Sequence, residues 1–247
     1  MRSLAILFPR LLRDRLLRSV VATALVLLLT SPLLRTGDSG FSDGYMVGGE
    51  PGAASTANLV GLLLGLAAPW LAEGIVSDLR RTGIGPFLLT RPIFRPGFYL
   101  ARWLTGLVCL VGVAIATAVL INTVWNGGGG SGPGLSVAGS IGAGVVIWVW
   151  VGSTVLLLSV VLDRGEALAG MLLLAVPIAL TAALPPTDLL ARVTRMLPVR
   201  PMLSAARSLL AGDLPAPFGL VVAGSWGLAM LGIGLLVASR RDWRAGD

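Results

Sequence analysis

The sequence predicts an all-α integral membrane protein: one transmembrane domain over 1–247 with six spans. Three observations carry that prediction. Of the 247 residues, 55% are hydrophobic and only 13% charged, about half the charge of an ordinary soluble domain. The apolar residues fall in long runs, several near the roughly 20 residues that carry a helix across a bilayer core of about 30 Å. The charges collect between the runs, and all 19 cations are arginine, with lysine and histidine both absent.

The elements follow in order. Leu4, Leu7, Phe8, Leu11 and Leu12 share one helical face with Arg10 and Arg13 opposite, the pattern of an N-terminal interfacial helix leading into the first span. The long basic region and the lack of a small-x-small site after the apolar run argue against a cleaved signal. The predicted spans are 16–34, 54–72, 103–125, 135–162, 167–187 and 214–239. The first is short unless Leu16, Leu17 and a snorkelling Arg18 extend it. The third and fourth come from one uncharged stretch, 103–162, which is too long for a single helix. The glycine-rich run at 126–134 divides it, because consecutive glycines cannot hold a helix. Trp103 and Trp125 lie about 33 Å apart by helical rise, as a pair of interfacial anchors would. Trp70 and Trp243 lie near the ends of the second and sixth spans. Trp148, Trp150 and Trp226 lie deeper and read as packing residues, as does Cys109. Pro69 and Pro177 are placed to kink the second and fifth spans. Gly61 and Gly65 fit the pattern for close helix contact, a weak signal in a chain with 33 glycines.

Arginine placement orients the bundle. With the termini inside, Arg35, Arg192, Arg195, Arg200 and Arg207 fall outside and all the others fall on the cytoplasmic side. That asymmetry puts both termini in the cytoplasm.

Two extramembrane segments are longer than a turn requires. The cytoplasmic one, 73–102, carries Phe87, Leu88, Leu89, Ile93 and Phe94, apolar groups that must be buried against a partner, the protein or the membrane. Its arginines also suit anionic headgroups, so a loop dipping into the lipid surface is a second reading. The outer segment, 185–217, is divided by prolines into two short amphipathic helices at about 188–197 and 202–211, either a lid for a substrate or an interfacial cap.

The absences exclude several functions. Without lysine there is no P-loop, so the chain does not bind ATP in that way. Without histidine there is no Ser-His-Asp triad and no histidine-ligated metal, and one cysteine allows no internal disulfide. No Asp, Glu or Arg lies near the centre of any predicted span, so the ionisable relays of ion-coupled transport are missing. No catalytic, cofactor or metal site is predicted, and the arginines read as membrane topology rather than nucleic-acid binding. Asn58, Asn122, Thr105, Thr117, Ser153 and Thr154 are the candidate polar lining of a pathway; the alternative is that they hydrogen-bond to neighbouring helices or to their own backbone.

Between the second and third spans the chain reads Asp78-Leu79-Arg80-Arg81-Thr82-Gly83-Ile84-Gly85-Pro86-Phe87-Leu88-Leu89-Thr90-Arg91-Pro92-Ile93-Phe94-Arg95. This resembles the run E-R-x-x-G-T-L-E-L-L-L-S-R-P-V-S-R of the permease subunits of ABC-2 type exporters. Gly83 matches the glycine, Phe87-Leu88-Leu89 the leucine triplet, and Thr90 to Arg95 the S-R-P-V-S-R end. Ile84 and Gly85-Pro86 depart from it. The tail Ser239-Arg240-Arg241-Asp242-Trp243 and the six-span architecture with outer helices before the last span are similar to the same family. The resemblance implies that Gly83, Phe87, Leu88, Leu89, Arg91, Pro92 and Arg95 belong to a coupling helix docked on a cytoplasmic ABC ATPase. It further implies two ATPase copies holding ATP and Mg, a second permease subunit (identical or paralogous), and a bacterial plasma membrane. The competing readings are an ATP-independent secondary transporter, which would need a charged or carbonyl-lined midplane site, and a non-transporting anchor or assembly protein.

Overall fold

A computed structural model of the chain describes residues 17–25, 53–72, 95–127, 135–161 and 199–240. Of these, 94% are helical, and the described residues contain no strand. Residues 17–25 are helical and fall within the predicted first span. Beyond them the order is α1 (Ala53–Ala72), α2 (Arg95–Gly127), α3 (Val137–Val161), α4 (Val199–Ala211) and α5 (Pro217–Arg240). Three helices are long and apolar enough to cross a membrane: the stretch Pro96–Thr123 of α2, then α3 and α5. In α1 the shorter stretch Val60–Ala72 is apolar, and the helix continues through Pro69. The N-terminal interfacial helix, the predicted fifth span at 167–187 and the first outer helix at 188–197 lie outside the described residues.

The largest difference from expectation is at α2. The helix begins at Arg95, so residues 95–102, expected in the cytoplasmic loop, form its first two turns. Charge marks where a segment leaves lipid, but it does not end a helix. Pro96 sits in the first turn, where its missing N–H costs nothing. Tyr99, Arg102, Trp103 and Gly106 then bury one continuous stripe. At 33 residues the helix is about 50 Å long, well beyond a bilayer core of about 30 Å.

α3 is the hub, packing on α1, α2, α4 and α5. Its most apolar stretch is 61% buried, against 17% for that of α5. α2 and α3 run antiparallel, with Gly106 against Trp148 and Val111 against Gly144. Their connection is pinned by Asn122, whose Nδ2 donates to the Leu135 carbonyl and whose Oδ1 accepts from the Leu135 N–H, both at 2.8 Å. Ser136 caps α3, its Oγ accepting from the Gly139 N–H at 2.9 Å.

α3 and α5 run parallel: Gly227 meets Val149, and Gly234 meets Leu157 further along. The buried residues of α5 are Gly219, Ala223, Gly227, Leu231, Gly234 and Ala238, a stripe of mostly small residues at spacings of three and four. In lipid the hydrophobic effect does not drive helices together, so close van der Waals approach between small residues does. Across from that stripe Val221 is 66% and Leu228 63% exposed, an apolar outer surface suited to acyl chains rather than water.

α4 corresponds to the second predicted outer helix, starting slightly earlier. Its apolar face, Met202, Ala205, Ala206 and Leu210, is buried, and the helix packs against α1, α3 and α5. It ends in a Schellman turn: the Gly212 N–H donates to Leu209 O at 3.0 Å and the Asp213 N–H to Ser208 O at 2.8 Å, with Gly212 at φ 87°.

Candidate functional site

The described part of the 83–95 run begins at Arg95. Gly83, Phe87, Leu88, Leu89, Arg91 and Pro92 lie outside the described residues, whereas Arg95 is the first residue of α2. From Arg95 onward the chain is one continuous helix to Gly127.

Where α2 enters the packed helices, Arg102 and Trp103 are 7% and 5% exposed. The Arg102 guanidinium stands over the Phe98 ring, 5.6 Å from its centroid, one helical turn away, and Phe98 meets Tyr99 edge-on at 5.8 Å. Such a cation–π contact offsets part of the cost of withdrawing the charge from water. The Trp148 indole N–H donates to the Trp103 carbonyl at 3.0 Å, and the two rings lie 6.4 Å apart. Trp103 is thus a core residue joining α2 to α3, not the interfacial anchor its spacing suggested. Trp148 and Trp150 are buried, as expected of packing residues, while Trp226 is 39% exposed.

The polar residues separate into two groups. Asn122 uses both ends of its amide on the Leu135 backbone. The Thr105 hydroxyl donates to Ala101 O and that of Thr154 to Trp150 O, at 2.8 and 2.7 Å, the local backbone bonding typical of hydroxyls in helices. Thr117 Oγ1 and Ser153 Oγ are buried without a hydrogen-bond partner, as are the indole nitrogens of Trp103 and Trp150. The α2–α3 register puts Ser153 level with Ala101, so Ser153 and Thr117 lie about 24 Å apart along the bundle and form no common site. Asn58 lies in the second turn of α1.

This chemistry is sparse. Asp213 is the one acidic residue among the described residues, and it sits in the turn after α4. Among the described residues no group of His, Cys, Asp or Glu gathers to hold a metal. Cys109 is buried. What the described helices offer is a joint: a long helix entering a bundle and held there by tryptophan and glycine.

Sequence reasoning missed two parts of that joint. Phe98 and Arg102 at i and i+4 on an unbroken stretch were a visible signal for the cation–π pair. The glycines that matter were not visible as such: a Cβ added at Gly61 or Gly65 would meet Leu210 and Leu203 of α4 at an ordinary 3.7 and 3.9 Å, whereas one at Gly106, Gly139 or Gly227 would overlap its neighbour. No protein-family model matches this chain, and no curated protein matches it significantly.

Proposed function

We propose that the chain is the membrane-spanning permease subunit of an ATP-driven ABC-2 type exporter, lining the substrate path as a dimer and driven through 83–95 by a separate ATPase. The observation that carries this reading is the run from Gly83 to Arg95, which resembles the family's coupling motif and leads directly into α2. A coupling segment is useful only if it is fixed to something stiff, and a 33-residue helix supplies that. The reading also gives Phe87, Leu88 and Leu89 a surface to bury against. The lack of acidic residues in the described helices fits a bundle whose energy comes from elsewhere. ATP and Mg belong to the ATPase, and this chain catalyses nothing.

The six-span arrangement is part of the same proposal. α1, α3 and α5 would run from outside to inside, with α2 returning. Because α3 and α5 are parallel, the chain between them has to come back along the bundle, and the 21 uncharged residues at 167–187 are the candidate for that crossing. Arginine asymmetry places both termini in the cytoplasm.

The test is co-purification with a co-expressed ABC ATPase encoded beside the chain's gene. Replacing Phe87 and Leu88 together with aspartate should abolish capture of the ATPase while the chain still inserts into membranes. Undiminished capture removes the coupling role.

A further inference from the structure

Two buried donors on α3 have no acceptor. The Trp150 indole N–H and the Ser153 hydroxyl lie in residues that are 4% and 0% exposed, and neither makes a hydrogen bond. The other hydroxyls of α3 behave differently. Ser140 donates to Ser136 O and Thr154 to Trp150 O, both at 2.7 Å, and Ser159 donates to Leu156 O at 2.8 Å. Ser153 is denied both carbonyls that a helical serine reaches in this way. The Trp150 carbonyl already accepts from Thr154, and Gly227 of α5 is packed against the Val149 carbonyl. The neighbouring indole, Trp148, is satisfied by the Trp103 carbonyl. A buried donor without an acceptor is costly, so each such group calls for a partner from elsewhere.

Trp150 and Ser153 are three residues apart, about 60° around the helix, and so share one face. That face is turned away from α2, which meets α3 at Trp148. Followed backward along α3, it continues through Val146 to Gly142 and Gly139. There α4 lies across it: a Cβ on Gly139 would overlap the Leu209 carbonyl, and one on Gly142 would stand 3.2 Å from Leu209 Cδ1. α5 borders the face at Val149 and Leu157, and α1 packs on both α3 and α4. The two donors thus lie beyond α4, about 12 and 16 Å past Gly142 along α3, in a helix long and apolar enough to cross a membrane. We infer that Trp150 and Ser153 form a binding site for a neutral lipid that offers an ester carbonyl. An indole N–H only donates, so the ligand has to accept. Neither α1 nor α3 carries a charge, and α5 carries none before Arg240, so a buried anion would lose its hydration with no compensating cation. Val146 and Leu157, on the same face before and after the donors, suit acyl chains. That the site belongs to a substrate path rests on the proposed permease reading; the ligand class does not.

Heteronuclear NMR of the full chain tests it, with isotope-labelled tryptophan and nanodiscs of ether-linked phosphatidylcholine, which brings no ester carbonyl. Trp150→Phe identifies the Trp150 indole signal. The probe is dioctanoylglycerol, and dioctylglycerol, its ether counterpart, is the control. Dioctanoylglycerol should move the Trp150 indole proton downfield to saturation, while the ether leaves it in place. Ser153→Ala should weaken the apparent affinity about fivefold, the worth of one hydrogen bond. A signal that moves equally with both glycerols, or with neither, overturns the inference. So does an indole proton already at its hydrogen-bonded position before any probe is added, which would mean that water fills the site. Should Ser153→Ala fail to insert, the wild-type titration decides alone. A chain that binds the ester but captures no ATPase refutes the coupling reading alone, and one that captures the ATPase without responding to the ester refutes the site alone.

Discussion

Two glycines on α2 offer a matched pair for measuring how tightly α2 and α3 are keyed. Gly106 and Gly112 lie on the same helix six residues apart, and each can be replaced by alanine. At Gly112 an added Cβ meets nothing within 4 Å, so the substitution gains helix propensity, at most about 1 kcal/mol. The gain is an upper limit because helices persist in the unfolded state within a bilayer. At Gly106 the same methyl group overlaps the Trp148 ring. That ring fills the space over Gly152 and its N–H bonds to the Trp103 carbonyl, so moving it gives up a buried contact and a hydrogen bond. Overpacking of this kind costs about 1–3 kcal/mol, and displacing the indole N–H from its acceptor adds about 1 kcal/mol. After subtracting the propensity gain, Gly106→Ala should destabilise by about 1–3 kcal/mol while Gly112→Ala is neutral or stabilising. Reversible unfolding in mixed micelles of increasing dodecyl sulfate, followed by circular dichroism, reads both. Adding Trp148→Leu should remove most of the Gly106→Ala penalty, giving a coupling energy of about 1 kcal/mol or more between the two sites. Equal stability of the two alanine variants, or strict additivity with Trp148→Leu, would falsify the keyed joint.

Two further outcomes can be checked with little additional work. Asn122→Leu removes both bonds to the Leu135 backbone and leaves a partly buried N–H and C=O unpaired, which should cost about 1–3 kcal/mol in the same unfolding assay; a loss below the measurement error would mean that the α2–α3 connection does not depend on this side chain. For the orientation, Gly129→Cys in the Cys109→Ser background should react with a membrane-impermeant maleimide on intact cells, and labelling only after lysis would invert the topology.

Membrane character was legible because the bilayer acts as a solvent that reads composition along the chain. Apolar runs such as 137–161 and 217–240 are long and apolar enough to cross lipid whatever they pack against, and their ends were anticipated to within a few residues. The glycine run after α2 was visible in the same way. The joint where α2 enters the bundle was only half legible. In sequence, Arg102 reads as the end of the cytoplasmic segment and Trp103 as an interfacial anchor, because one dimension does not tell which face of a helix meets a neighbour.

Lipid solvation and charge asymmetry alone therefore account for the helical class, the positions of the apolar helices and the expected inside and outside. They depend on local composition averaged over about 20 residues, which folding cannot alter. The contacts between helices depend on something else. With 33 glycines in the chain, motif matching points to Gly61 and Gly65. The tertiary packing instead places Gly106 and Gly227 against Trp148 and Val149, because a missing side chain has value only where another helix comes close enough to fill the space. The start of α2 at Arg95 follows the same rule: its first two turns are held by burial of Tyr99, Arg102 and Trp103 in the bundle, a stabilisation that depends on a partner helix.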